Sequence, residues 1–159
     1  MQSTSLAGRF VRRVLIEGSA ASVLSALALG WRGKQETGSA AAPLNAPSHW
    51  VWGREALWRD RVDGRHTALG TLIHHGSSLL WAAVFEGLQR RRRRPTALSV
   101  AGDAAAVTAL AAFVDLKLTP ERFTPGFERR LSPRSLVLVY ASFGLGLASA
   151  GWWAMRRRR

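Results

Sequence analysis

Apolar residues in this chain fall in four long runs, and short blocks of basic residues stand between them. A helix that crosses a bilayer needs about 20 mostly apolar residues, because the hydrocarbon core is about 30 Å thick and each helical residue rises about 1.5 Å. The runs at 14–31, 67–88, 97–116 and 136–155 are close to that length. The pattern therefore predicts an all-α fold: a four-helix transmembrane bundle that makes residues 1–159 a single integral membrane domain.

The third and fourth runs differ in how clearly they are apolar. The third is rich in alanine and is interrupted by Asp103 and Asp115. The fourth carries no charged residue, and it is preceded by Ser132 and Pro133. Serine is a favoured N-cap and proline a favoured first helical residue, so the fourth helix is predicted to begin there.

The basic residues orient the predicted bundle. The chain has 23 Lys and Arg against 10 Asp and Glu, a formal net charge of +13. The arginines nearest the ends of the runs are Arg9, Arg12, Arg13, Arg90–Arg94 and Arg156–Arg159. With four helices all of these lie on one side of the membrane. Because basic residues close to helix ends stay inside, we expect a multi-pass protein with both termini in the cytoplasm. The membrane is taken to be a bacterial inner (cytoplasmic) membrane.

The same charge pattern favours lipid over nucleic acid as a partner. Sites that follow a phosphate backbone spread basic and aromatic side chains over one folded face, whereas these blocks separate apolar runs. Arg90–Arg94 and Arg156–Arg159 are expected to attract anionic lipid headgroups, at about 1 kcal/mol per residue near the surface. The chain has no Cys, which excludes disulfides and thiolate metal sites, and its seven Trp are typical of membrane–water boundaries.

The first run has a competing interpretation as a signal peptide. It has a basic start, an apolar core and small residues near Ala26 to Ala28. Glu17 lies within that apolar core, and three further runs of similar length follow. We therefore expect the first helix to be retained as a membrane span.

The first long connection contains the stretch APLNAPSHWVWGREALWRD. Interpreted as a helix from about residue 48, it is amphipathic and favours a short helix lying in the membrane interface. The side chains on its apolar side would be Trp50, Val51, Leu57 and Trp58. The alternative is a binding loop for a lipid or a partner. The candidate residues of that loop site are His49, Trp50, Trp52 and His66.

Small residues recur at helical spacing in the first and fourth runs. Membrane helices associate through close packing of such residues, so these positions are predicted to form helix contacts. The positions are Gly18, Ser22, Ala26 and Gly30 in the first run, and Ser142, Gly146 and Ala150 in the fourth. The contacts lie either within the chain or between chains, which leaves a homo-oligomer or a membrane protein partner open.

Three carboxylates near the ends of the runs have a basic residue close by in the same helix. The pairs are Glu17 with Arg13, Glu86 with Arg90, and Asp115 with Lys117. Glu17 and Glu86 are each four residues from their arginine, so each pair meets on one face of a helix and the long basic side chain reaches the membrane boundary. Asp115 is two residues from Lys117, at the opposite boundary. We therefore expect boundary pairs at these positions.

Asp103 has no basic residue three or four positions away. It needs a partner on another helix, a proton or water, because an isolated charge within the membrane is costly. Alternatively, the third helix begins later and Asp103 lies near the surface. Together with His74, His75 and Glu86 it forms a possible polar intramembrane site.

His74 and His75 lie about two turns into the second run. Adjacent helical positions point about 100° apart, so the two rings are not placed to chelate one ion. A bis-histidine haem needs a histidine on each of two facing helices, and no other run has one. No HxxxH or HExxH spacing supports a metal site that would add His49 and His66. We expect no cofactor and no metal; the histidines would hydrogen-bond between helices or relay protons.

Three stretches, NAPSHWVWG, RHTALGTLIHH and SSLLWAAVFE, resemble a group of small bacterial inner-membrane proteins of unknown function. They cover the first long connection and the second run. The resemblance implies a multi-span membrane protein and carries over no activity and no site residue.

The sequence favours a protein without catalysis, because it shows no convergent set of catalytic residues. We expect an assembly or accessory component of the membrane. The alternative is a small transporter or ion-conducting oligomer whose pathway is lined by Glu86, Asp103 and the two histidines. The third hypothesis, an enzyme acting on lipid through the region from His49 to His75, has the least support.

Overall fold

The computed structural model describes residues 5–157, which form six α-helices and no β-strand. The helices are α1 Leu6–Thr37, α2 Ala42–Asn45, α3 His49–Trp52, α4 His66–Arg91, α5 Ala97–Phe113 and α6 Pro133–Arg156. Short 3₁₀ turns and one π-helical turn connect them. The predicted all-α fold is confirmed.

Four of the helices are long and apolar enough to cross a membrane: α1, α4, α6, and α5 together with the turn that extends it to Leu118. Each exposes large apolar side chains, for example Leu27, Leu72, Leu110 and Leu145. Exposed apolar surface on every long helix is expected of a bundle surrounded by lipid. The chain is a multi-pass membrane protein, and the predicted four-helix bundle is confirmed.

Aromatic rings lie beneath arginine side chains at both ends of the bundle. At one end the pairs are Phe10–Arg90, Trp152–Arg156 and Trp153–Arg157. At the other end they are Trp31–Arg32, Trp52–Arg65 and Trp58–Arg130. Such rings favour the membrane–water boundary, where the cation stays in water. Phe10 and Trp31 are about 31 Å apart along α1, close to the ~30 Å thickness of the hydrocarbon core.

The helix ends are set by local side-chain caps. Ser132 accepts a hydrogen bond from the backbone N–H of Ser135, and α6 begins at Pro133, as the sequence predicts. Thr96 and Ser99 cap α5 reciprocally. α1 is longer than the apolar run at both ends, because Ser5 caps its start and Gly38, at φ 76°, ends it. Polar helical turns thus extend α1 beyond the part that the hydropathy pattern marks.

The long helices follow one another around the bundle in the order α1, α4, α5, α6. α1 packs most extensively against α6 and α4, and α5 lies against α6 and α4. We call the end that holds Arg9–Arg13, Arg90–Arg94 and Arg156–Arg157 the basic end. The opposite end holds the two long connections, 38–65 and 119–132, and is called the loop end.

Two glycines let α1 pack closely against α6 and α4. A Cβ atom on Gly146 of α6 would lie 2.4 Å from Ala21 Cα and 2.6 Å from Ala21 N on α1. A Cβ atom on Gly18 of α1 would lie 2.7 Å from Leu79 Cδ2 on α4. Glycine therefore lets α1 approach both of its neighbours at backbone distance. These contacts lie within one chain.

The remaining small residues have mixed surroundings. Ser22 and Ala150 are buried, whereas Ala26 and Ser142 are half-buried. Gly30 faces the first long connection, where its Cβ would lie 3.7 Å from Ala40 O. The small residues of α1 therefore contact α4 and α6 toward the basic end, and the first long connection toward the loop end.

Two hydrophobic clusters fill the bundle. The first occupies its middle and basic half: Ala21, Ala82, Phe85, Val100, Ala104, Val107, Phe143, Leu147 and Met155. The second joins the helices to the long connections: Ala28, Leu29, Ala46, Leu57, Phe127, Leu131 and Val139. The connections are thus part of the packed structure.

Asn45 holds the first long connection in place. Its Nδ2 donates to the backbone carbonyls of Arg59, at 2.8 Å, and Arg61, at 2.9 Å, while Oδ1 accepts from Thr67 Oγ1 at 2.7 Å. Gly53, at φ 76°, interrupts the helical path after α3. The stretch expected as one interfacial helix from about residue 48 is therefore a series of short helical turns, since a left-handed backbone cannot continue a helix.

Candidate binding cavity at the loop end

A π-helical turn, Val114–Leu118, extends α5, and its Asp115 faces α6. Tyr140 Oη donates to Asp115 Oδ2 at 3.0 Å. The sequence predicts a boundary pair of Asp115 with Lys117, and the structure places the carboxylate against Tyr140 instead. Asp115 lies one helical turn after buried Ala111, on the face of α5 that packs into the bundle. π turns recur at functional sites.

Asp115 and Tyr140 line a cavity of about 230 Å³ between α4, α5 and α6. Apolar and aromatic side chains make up most of its wall, including Ile73, Leu80, Trp81, Ala111, Val139 and Phe143. Its polar groups come from Ser25, His74, Ser77, Ser78, Asp115 and Tyr140. An apolar cavity with a few placed polar groups is the usual form of a small-molecule site.

His74 is the one member of the predicted histidine pair that lines this cavity. Its Nε2 lies 2.9 Å from Ser25 Oγ on α1, and its ring packs edge-on against Phe127 at 6.4 Å. Ser25 Oγ also donates to Ala21 O at 2.8 Å, so its single proton is already used. The ring Nε2–H of His74 is therefore the donor in the contact with Ser25.

The long connections close the loop end of the cavity. Trp50 Nε1 donates to Thr124 O at 2.8 Å, and the Trp50 ring meets Phe123 edge-on at 5.7 Å. His49 is buried, with Nδ1 2.9 Å from Ala46 O and Nε2 3.4 Å from Glu121 O. Trp50, expected to face the membrane, instead joins the two connections because Thr124 satisfies its N–H.

Trp52 and His66 do not take part in closing the cavity. Trp52 is exposed beneath the Arg65 guanidinium, 3.8 Å from ring to cation. His66 begins α4, where its backbone N–H donates to Asp63 Oδ1 at 2.6 Å and its Nδ1 lies 2.9 Å from Oδ2. The backbone hydrogen bond from His66 lowers the pKa of Asp63, so this carboxylate caps α4 in its charged form.

Glu86 belongs to the basic end, where it is fully buried. Arg90 Nε lies 3.5 Å from Glu86 Oε1, so the expected pair one turn apart is present. Arg13, which the sequence assigns to Glu17, reaches across from α1 to within 3.6 Å of Glu86 Oε2. Glu86 therefore links two helices, which spacing along one helix does not reveal.

Asp103 also has its partners at the basic end. Gln89 Nε2 and Arg92 Nε each donate to Asp103 Oδ2 at 2.7 Å. Arg92 follows α4 in the short connection, and its hydrogen bond with Asp103 raises the pKa of Arg92. Asp103 thus has a partner on another helix, which was one of the two expectations. It also lies near the membrane boundary, which was the other, because the connection folds back over it.

The four predicted polar residues are therefore divided between the two ends. His74 and Glu86 are about 18 Å apart along α4, and fully buried Phe85 and Leu147 belong to the apolar cluster that fills the bundle between them. His75 is half-buried and is not among the residues that line the cavity. Within residues 5–157, no three His, Cys, Asp or Glu side chains are grouped to hold a metal ion.

Sequence reasoning missed Ser25 and Tyr140, whose only signals are single polar groups within apolar runs. Asp115 was recognised but given a different partner. Comparison of the chain with family models, with curated proteins and with solved structures finds no match. Function must therefore be argued from the geometry of the cavity.

Proposed function

We propose that this chain is a non-catalytic accessory protein of a bacterial inner membrane that binds an amphiphilic molecule in the loop-end cavity. Both termini would lie in the cytoplasm, as the charge pattern predicts. The resemblance to small inner-membrane proteins agrees with this location. The observation that carries the proposal is the cavity itself, which joins apolar walls to a small set of polar groups.

The size of the cavity limits the ligand. A cavity of about 150 Å³ lined by apolar side chains binds benzene, so the 230 Å³ found here fits a ring or a short chain segment rather than a whole lipid. Leu80 lines the cavity and is 64% exposed on the lipid-facing side of α4. The rest of a longer ligand would leave past Leu80 into the bilayer.

The polar set indicates a ligand with a hydrogen-bonding head. His74, Ser77 and Ser78 lie along α4, and the Asp115–Tyr140 pair belongs to α5 and α6. A head group that both donates and accepts, such as a hydroxyl, satisfies these groups without adding a charge to an apolar space. The proposed ligand is therefore an uncharged amphiphile.

The Ser25–His74 contact does not favour an enzyme. A nucleophilic serine donates its proton to the histidine, and a third group orients the ring. Here Ser25 donates to Ala21 O, and Asp115, the carboxylate of the same cavity, accepts from Tyr140. The pair has the geometry of an interhelical hydrogen bond.

The transporter hypothesis would need a polar path between the two ends. Ala82 and Leu147 are fully buried members of the apolar cluster between His74 and the charged groups of the basic end. This apolar packing favours a binding protein over a conducting one.

Filling the cavity is expected to abolish ligand binding. Ser77→Phe places a ring in the cavity, so labelling of the purified protein by a long-chain fatty alcohol with an aryl diazirine should fall at least roughly tenfold, the equivalent of about 1.4 kcal/mol. Mass spectrometry would locate the label, which in the unmodified protein is expected on Ser78 or Trp81.

The matched control is Ser149→Phe, which makes the same change on an exposed position of α6. It should leave labelling unchanged. Equal loss of labelling in both variants, or full labelling of Ser77→Phe, contradicts the proposed site.

The proposed orientation has its own test. Reporter domains fused after Arg94 and after Arg159 should both report a cytoplasmic location, because four spans place both points on the inner side. A fusion after Gly64 in the first long connection is the opposite control and should report the periplasm. A periplasmic signal from Arg94 or Arg159 would contradict the orientation.

A further inference from the structure

A second pocket, of about 250 Å³, lies at the basic end between the start of α1 and the end of α6. The residues that matter here are Arg9, Arg12, Arg13, Glu17, Trp153 and Arg157. Four arginines and the buried Glu17 thus line a single space. The pocket is separate from the loop-end cavity and shares no residue with it.

The charges of this pocket favour an anion. Arg13 pairs with Glu86, so its charge is neutralised outside the pocket. The negative charge of Glu17 offsets the charge of one further arginine of the pocket. Arg12 and Arg157 are both exposed and come from different helices, so they approach the space from two sides. Guanidinium groups recognise phosphate through paired, charge-assisted hydrogen bonds.

The position of the pocket identifies the source of the phosphate. Arg157 lies over the Trp153 ring at 3.9 Å, and Trp152 and Arg156 form the same arrangement beside it. These stacked rings mark the membrane boundary. Ile16 and Trp153 give the pocket an apolar side. A molecule that fits both sides carries a phosphate on one end and an acyl chain on the other.

We infer that this pocket binds the phosphate headgroup of an anionic phospholipid, with Arg12 and Arg157 as its principal ligands and its acyl chains along Trp153. Basic pockets between membrane helices on the inner side bind such headgroups. The inference assigns lipid to a built pocket, in addition to the general attraction expected of the exposed arginine runs.

Lipid retention by the full-length protein in mild detergent tests this site. Native mass spectrometry would follow titration with phosphatidylglycerol, phosphatidylcholine and inorganic phosphate. The unmodified protein should retain one phosphatidylglycerol. Arg12→Gln/Arg157→Gln should bind it roughly thirtyfold more weakly, because each of the two arginines contributes about the same share of the binding free energy, roughly fivefold in affinity.

The matched control removes the same charge elsewhere. Arg93→Gln/Arg94→Gln changes two exposed arginines of the connection between α4 and α5. It should alter binding of the retained lipid less than about twofold, because neither residue lines the pocket. Equal weakening in the two double variants would overturn the inference in favour of general attraction. Inorganic phosphate binding as tightly as phosphatidylglycerol would also overturn it, because the acyl chain would then contribute nothing.

Variant folding does not limit the test. Arg12 is exposed on α1 and Arg157 follows α6, so both variants should keep the helix content of the unmodified protein in circular dichroism. The comparison of phosphatidylglycerol with phosphatidylcholine needs no variant. Equal retention of these two lipids by the unmodified protein would overturn the inference on its own.

Discussion

Replacing Gly146 by alanine is expected to cost about 3 kcal/mol of unfolding free energy, at the upper end of the usual cost of overpacking. The added Cβ would lie 2.4 Å from Ala21 Cα and 2.7 Å from Ala20 O. These are backbone atoms of α1, so no side chain can rotate away, and α1 and α6 must separate. Denaturant titration of the purified protein in detergent micelles measures the effect.

The control for this prediction is the same substitution where the structure leaves room. Gly76 lies on α4, and a Cβ there meets nothing within 4 Å. Gly76→Ala should leave stability unchanged or raise it by up to ~1 kcal/mol, because alanine favours the helix. If the two variants lose the same stability, backbone contact between α1 and α6 is not what Gly146 provides.

Replacing Arg13 and Arg90 together by glutamine is expected to cost roughly 3 kcal/mol, because the buried Glu86 carboxylate loses both cations near it. The cost lies at the low end for a broken buried pair, since the Arg90 side chain is 37% exposed and water screens it. The same detergent titration measures the loss. Arg93→Gln/Arg94→Gln removes an equal charge from exposed positions and should change little.

Adding Glu86→Gln to that double variant provides the decisive comparison. A neutral amide no longer needs a cation, so the triple variant should recover most of the lost stability. A deficit of about 1 kcal/mol should remain, since Arg90 also donates to Leu6 O at 2.6 Å. A triple variant as unstable as the double one would show that the arginines act independently of Glu86.

Much of the fold could be predicted from the sequence because its signals are local. Helix length and hydropathy identified four spans, and Ser132 with Pro133 identified the start of α6. The pair of Glu86 with Arg90 depends only on a four-residue spacing along one helix. The spacing also identified the glycines where α1 meets its neighbours, although it left open which helix each would meet.

Much less of the candidate cavity could be predicted from the sequence. His74 was identified as a polar residue in an apolar run, but its partner, Ser25, is 49 residues away along the chain. The only signal of Tyr140 was a single polar group within an apolar run, and Asp115 was associated with Lys117 because the two are close in sequence. Asp115 continues the buried face of α5 and meets Tyr140 on α6, a partner that lies 25 residues away along the chain.

The sequence by itself determined the class of protein, since the length of an apolar run and the sign of its flanking charges act on each helix separately. Tertiary structure decided which polar groups meet. Arg13 reaches Glu86, Arg92 folds back on Asp103, and Trp50 donates to Thr124 instead of facing lipid. Within a membrane a buried polar group takes the nearest partner that packing provides, and that partner lies on another segment whose position only the folded chain defines.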